Sequence, residues 1–424
     1  MPILGAMLAL LLLLSSGSLL ATTPEVRVRQ WSCMDLLRTK PKTSEQRDQD
    51  RGQGRHFRVF ASSARGVNWR SKMIRDNPEH WWAEMARLSQ QGALGRSLSE
   101  LLKYQGFVMG DSHPGNFLIT SRAGRMVVSA YDEGGGVGPY ILDFARLVMA
   151  TKAIFRGREI DGDVKIRELF ESYTKGLQGS RWTRPERVRQ EMERVESEFG
   201  ESRRDQIDRA LDSDGLFHDR ASTRSLNQTD LNSLKRLLRS QSQLEVIDAV
   251  WKEVDRGGSA ELPRIRLSVV DESSDHGFTL MELKPIQRSD LASFQRQTLT
   301  DRERFIEMQR WQGRDDDEKW DQMVVWRGQT HWLRIKKPNV LELPYKLESN
   351  DDIEMISAYA LQVAYTMGRT HALQSGPLYA RAVATRAEEL REALKVLSRN
   401  YLSKVEEIAD SYWADDWEPL ERIR

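Results

Sequence analysis

Apolar residues recur along this chain at two different periods, and the change of period divides it. After a polar stretch at 25–55, "SKMIRDNPEHWWAEMARLSQQ" and "SLSELLKYQG" carry the spacing of amphipathic helices. "FLIT" and "RMVVSAYD" are short, apolar and β-branched, and the tight "SRAGR" turn between them predicts two paired strands. "YILDFARLVMATKAIF" returns to helical spacing, with Ile141, Phe144, Ala145, Val148 and Met149 on one face. Residues 158–250 are highly charged and predicted helical, broken by a loop at "DSDGLFHDRAST".

The period then shortens to two. "RIRLSVV" and "FTLMELK" alternate across a polar turn and predict a β-hairpin. A charged helix is expected from Ser289 to Gln312, then a second hairpin in "DQMVVWRG" and "QTHWLRIKK". A strong helical period resumes through Ile353, Ile356, Ala360, Val363, Met367 and His371, and the tail to Arg424 reads as helix. No internal repeat is visible. The class is α+β, and four segments are expected: an apolar leader at 1–21, a helical lobe at 22–245, a strand-rich part at 246–345, and helices at 346–424 that complete the helical lobe.

Composition narrows the partners. Sixty-four Lys and Arg residues meet 63 Asp and Glu residues over 424 positions, a net charge of +1, so nothing draws the chain to nucleic acid. The arginines from Arg181 to Leu211 alternate with glutamates, the pattern of a solvated, salt-bridged helix. The run "MPILGAMLALLLLLSSGSLLATTPE" turns small and polar near Ser15–Ser18, as a secretory signal does. No Lys or Arg precedes it, so an uncleaved membrane anchor is the alternative; either way the folded part is expected outside the cytoplasm, secreted or periplasmic. Cys33 is the only cysteine, which rules out an intramolecular disulfide.

The densest chemistry lies in "GFVMGDSHPGNFLIT", where Asp111, His113 and Asn116 fall within six residues. Alone, such a stretch is an ordinary polar turn. Asp132 at a strand end beside glycines, Asp143 at the start of the next helix, and Lys284 at the end of a hairpin strand change its meaning. Phosphoryl transfer needs an acid to orient the attacking hydroxyl, an amide and a carboxylate to hold Mg²⁺, and a lysine at the nucleotide phosphates. On that chemistry Asp111 is the base, Asn116 and Asp132 are metal ligands, and Lys284 meets the phosphates of ATP. His113 is read as a buried partner that holds the loop, Asp143 as an acceptor of backbone N–H groups that braces it, and His371 as a satisfied core residue.

These motifs resemble the aminoglycoside-phosphotransferase branch of the protein-kinase-like superfamily. More closely, the chain from about 55 to 375 resembles a bacterial family of kinase-like proteins, the domain of unknown function 2252 family. That family has a GDxHxxN loop, an Asp-Phe-Asp-Glu segment, a GSxG turn and a Lys-Glu-Ala strand end. The matching positions are Gly110, Asp111, His113 and Asn116, then Asp132 and Glu133, then Gly258 and Ser259, then Lys284. The resemblance implies a two-lobed kinase-like fold that binds ATP with Mg²⁺, using Gly258 and Ser259 at the nucleotide. In an ordinary kinase the lysine strands precede the catalytic loop; here they follow it, so a circularly permuted fold is expected.

Three departures bear on activity. Ala130 replaces the first acid of the Asp-Phe-Asp segment, Glu261 replaces a glycine of the nucleotide turn, and Pro285 follows the lysine. A carboxylate near phosphates repels them, and a β-carbon blocks the positive φ that glycine permits. Two functions therefore stand side by side: a Mg-nucleotide-dependent phosphotransferase with an unidentified acceptor, and a pseudoenzyme of the same fold that binds a ligand or protein without turnover. A purely structural envelope protein is the third reading.

Overall fold

The computed structural model describes residues 69–122, 125–130, 135–156, 162–218, 223–252, 264–274, 276–286, 289, 291, 294, 299–311, 321–335 and 349–415. The leader at 1–21, Cys33, Asp132, Glu133, Gly258, Ser259 and Glu261 lie outside the described residues.

Three helices open the described chain, α1 (Trp69–Asp76), α2 (Pro78–Gln90) and α3 (Arg96–Leu101). Strand β1 (Gln105–Val108) leads through a single 3-10 turn at Pro114–Asn116 into the hairpin β2 (Phe117–Arg122) and β3 (Arg125–Ala130). Next come β4 (Gly136–Pro139), which pairs antiparallel with β1, and helices α4 (Tyr140–Phe155), α5 (Gly162–Leu177) and α6 (Glu186–Ala210). A sheet region follows with β5 (Thr223–Ser225), α7 (Gln228–Ser242), β6 (Val246–Lys252), β7 (Arg264–Val270), β8 (Phe278–Pro285), α8 (Asp301–Trp311), β9 (Gln322–Trp326) and β10 (Gln329–Ile335). Helices α9 (Asn350–Ser375), α10 (Pro377–Thr385) and α11 (Ala387–Asp415) close the chain. The protein is α+β, and among the described residues no helix is long and apolar enough to cross a membrane.

The six-stranded antiparallel sheet runs β5-β6-β7-β8-β10-β9. It starts at Thr223, ahead of the expected boundary at 246, because β5 falls inside the stretch expected to be helical; β6 begins at that boundary. Helix α7 stops where Gln243 turns left-handed (φ 54°), which frees "VIDAVWK" to extend. The helix expected from Ser289 begins only at Asp301. Thr300 caps it: the Glu303 N–H donates to Thr300 Oγ1 (3.3 Å) while the Thr300 N–H donates back to Glu303 Oε2 (2.8 Å).

Period-two alternation gives this sheet two unlike faces. Ile265, Leu267, Val269, Met281, Leu283 and Leu333 pack against Leu234 and Leu238 of α7 in one apolar layer. The opposite face carries Arg264, Arg266, Glu282, Lys284, Trp332 and Arg334. Trp332, in register with Lys284, is fully buried in the larger core, which is otherwise built mainly from helices. The charged face is thus the one turned towards the helical body.

That body is organised around α4, buried along almost its whole length, and the crossing of α5 with α9. The crossing is close enough that glycine is required on both helices. A Cβ on Gly176 would fall 2.3 Å from the Tyr365 carbonyl oxygen, and one on Gly368 would fall 2.2 Å from that of Tyr173. The Arg/Glu-rich α6 is the solvated helix expected: Arg189 pairs with Glu186 and Glu193, and Arg194 with Glu191 and Glu198.

Candidate functional site

The loop between β1 and β2 is folded by its own short polar side chains. The Gly115 N–H donates to His113 Nδ1 (3.1 Å), which fixes that nitrogen as the acceptor and leaves the proton of the neutral ring on Nε2. Nε2 lies 3.6 Å from Asp111 Oδ2. Asn116 donates from Nδ2 to the Asp111 carbonyl oxygen (2.9 Å) and to Asp111 Oδ2 (3.0 Å). The three residues expected to act together are therefore in contact. His113 holds the loop from a buried position.

Helix α4 supplies the second layer. Asp143 accepts the N–H of Met109 on Oδ2 and that of Gly110 on Oδ1, both at 3.2 Å, and the hydroxyl of Ser112 also donates to Oδ1. Gly110 adopts φ +80°, a conformation that suits glycine, and its carbonyl takes the indole N–H of Trp82 (2.7 Å). The backbone just before Asp111 is thus gripped from two sides. At the other end, the Tyr359 hydroxyl of α9 donates to the Phe117 carbonyl (2.6 Å).

Asp111 itself is occupied. The guanidinium of Arg146, one turn beyond Asp143 on α4, donates from Nη2 to Asp111 Oδ1 and to the Ile74 carbonyl of α1 (3.0 Å). Arg146 is 0% exposed and Asp111 5%. Burial alone would raise the Asp111 pKa, but the charge of Arg146, with the His113 ring beside it, outweighs burial and holds the carboxyl well below its ordinary range. Burial lowers the pKa of His113 against the opposing pull of Asp111, which keeps the ring neutral near pH 7. A carboxylate this acidic is a weak proton acceptor.

Lys284 lies on the charged face of the large sheet. It is 4% exposed on β8, two residues from Glu282, whose carboxylate takes Arg334 Nη2 (2.7 Å) and Nε (3.2 Å) on Oε2, with Arg264 Nη1 at 3.3 Å from Oε1. Burial would raise the Glu282 pKa, yet Arg334, Arg264 and Lys284 bring it down to about 2. Among the described residues, the groups that contact the Asp111 carboxylate are Arg146, Asn116 and His113.

Compared with known proteins, the chain matches no family model, no curated protein and no solved structure.

For Mg²⁺, Asn116 is the one predicted ligand among the described residues. Its Nδ2 is committed to Asp111, so a cation would be met by the amide oxygen, a suitable hard ligand. Among the described residues no group of three or more acidic, His or Cys side chains is gathered for a metal. The residues missed from sequence are Arg146, Trp82 and Tyr359. Arg146 had a readable signal, as the only arginine in a helix built mostly of apolar residues. The other two come from distant elements and had none.

Proposed function

We propose that this chain is a kinase-like protein that binds a ligand or protein partner without transferring phosphoryl groups. One observation carries this reading: both oxygens of Asp111 are engaged, by Arg146, Asn116 and His113, in a buried position. Protonating a carboxylate held beside the buried Arg146 guanidinium is disfavoured, which opposes recruiting Asp111 as a base. The departures at Ala130 and Glu261 point the same way.

Phosphoryl transfer is the second reading, and it too has an observation in its favour. Asp143 fixes Met109 and Gly110, and Asn116 fixes Asp111, so the loop is preorganised as a positioning catalyst requires. In that reading Asp111 orients the acceptor hydroxyl, Asn116 and Asp132 hold Mg²⁺, Lys284 meets the phosphates, and Gly258 and Ser259 approach the nucleotide. Contacts of α9 with α4 and with β2 support a circularly permuted two-lobed arrangement in both readings, because a helix late in the chain braces a loop that precedes it. We place the protein in the periplasm or outside the cell on the strength of its apolar leader.

The two readings separate in one experiment. Purified protein is melted with and without ATP and Mg²⁺, and ATP consumption is followed in parallel, beside Asp111→Asn and Lys284→Ala. A nucleotide at a hundredfold excess over its dissociation constant adds about 2.7 kcal/mol of stability. Nucleotide turnover is expected to be absent. Turnover abolished by Asp111→Asn would overturn the non-catalytic reading in favour of the phosphotransferase.

A further inference from the structure

Behind the loop, four buried side chains from four helices form one chain of polar contacts. Asp143 Oδ2 lies 3.4 Å from His371 Nε2, His371 Nδ1 is 2.8 Å from the Tyr173 hydroxyl, and that hydroxyl is 2.9 Å from the Tyr379 hydroxyl. All four are 0% exposed, and the Tyr140 ring packs on His371 at 4.8 Å between centroids. The elements are α4, α9, α5 and α10, so the chain crosses the centre of the helical body.

The direction of every proton in it follows from donor and acceptor chemistry. The Asp143 carboxylate already accepts from Met109, Gly110 and Ser112, and it offers a fourth donor only lone pairs. His371 Nε2 must therefore carry its proton towards Asp143. In a neutral ring Nδ1 is then the acceptor, so Tyr173 donates to it. The Tyr173 oxygen is left to accept from the Tyr379 hydroxyl. One arrangement fits the whole chain, with the His371 Nε2–H directed at Asp143 Oδ2 across 3.4 Å, longer than an ordinary hydrogen bond.

We propose that His371 is a positioning residue: held as the Nε2-protonated neutral tautomer by Tyr173 and Tyr379, it orients the Asp143 carboxylate that grips Met109 and Gly110 and so sets the place of Asp111. The sequence marks His371 only as a filled core position, and neither functional reading depends on this role, so its test stands or falls apart from theirs. His371 faces one formal charge, Asp143 of α4, with the neutral phenols of Tyr140, Tyr173 and Tyr379 from the elements around it. Burial lowers its pKa and the Asp143 carboxylate opposes that shift. Its counterpart His113 is arranged alike, with Nδ1 accepting and Nε2 towards a carboxylate.

The test is nuclear magnetic resonance on ¹⁵N-histidine-labelled protein at neutral pH, with the His371 signals assigned by their loss in His371→Gln. The expected result is an Nε2-protonated neutral ring; an Nδ1-protonated ring or an imidazolium overturns the proposal. Hydrogen exchange supplies the second readout. Tyr379→Phe removes only a hydroxyl and keeps the packing, and it is expected to speed exchange at the Met109 and Gly110 amides by roughly fivefold, the loss of one hydrogen bond, while β7 amides are unchanged. His371→Gln, which can return an N–H near the Nε2 position, is expected to protect those two amides better than His371→Met. Equal acceleration in β7 and the loop, or no difference between Gln and Met, would show a merely structural role and overturn the proposal.

Discussion

The loop around Asp111 and the charged face of the large sheet solve the same problem in opposite ways. Each buries a carboxylate beside guanidinium groups, and in each the charges outweigh burial and hold the acid below its ordinary pKa. In the loop one guanidinium, Arg146, does this for Asp111, and the other contacts come from a neutral imidazole and an amide. On the sheet one carboxylate, Glu282, is shared by Arg334, Arg264 and the nearby Lys284. The irreplaceable member is thus the cation in the loop and the anion on the sheet. Geometry explains the difference. A loop presents each donor once at a unique place, whereas neighbouring strands set like positions side by side on one face.

The largest effect is expected where the unique cation is removed. Arg146→Met leaves a buried, ionised Asp111 without its counter-charge and releases the Ile74 carbonyl of α1. Stability in urea should fall by about 3–5 kcal/mol. The double variant Arg146→Met with Asp111→Asn should recover much of that loss, since no isolated charge remains buried. A loss of less than about 1 kcal/mol in the single variant would mean that His113 and Asn116 suffice to hold the carboxylate, and the contrast with the sheet would break.

How far the sequence could be read follows the same contrast. The hairpin of β7 and β8 was legible because strict alternation in "RIRLSVV" and "FTLMELK" encodes both faces at once. Helix α4 was legible from its continuous apolar spacing, and Asp111, His113 and Asn116 because they share one short loop. Strand β6 was not, since "VIDAVWK" directly follows an amphipathic helical run and its strand character depends on pairing with β7. The start of α8 at Asp301 was legible in principle: "TDRE" is a Thr-x-x-Glu capping box, a local signal more specific than the charge periodicity around it. Arg146 reaches Asp111 across 35 residues and Tyr359 reaches Phe117 across 242, and no local pattern encodes a partner at that range.

The next effect concerns the unique anion. Glu282 has a folded pKa of about 2 against 4.5 for the free group, so its contribution to stability is complete above about pH 5 and is lost as pH falls towards 2. The shift corresponds to about 3 kcal/mol. Glu282→Gln imposes the same loss at neutral pH, and the variant's stability should then vary less between about pH 5 and 3 than that of the parent. Urea unfolding across that range measures both. If Glu282→Gln flattens nothing, the acid limb belongs to other carboxylates, Asp111 among them, and the sheet face is not held by its single anion.

The smallest effect is expected where a cation is altered on the sheet. Arg334→Lys keeps the positive charge but gives up the pair of N–H groups on Glu282 Oε2 and the stacking of the guanidinium over Trp332, whose ring centroid lies 4.4 Å away. Arg264 remains within reach of Glu282 and Lys284 stays two residues away on the same face. The carboxylate therefore keeps a counter-charge, and the cost reduces to about 1 kcal/mol of stacking and one hydrogen bond. Thermal or urea unfolding of the variant beside Arg146→Lys makes the comparison direct, because among the described residues no second guanidinium or ammonium contacts Asp111. Equal losses in the two lysine variants would mean that guanidinium geometry, rather than the number of cations, decides how firmly each carboxylate is held, and the division between loop and sheet would give way.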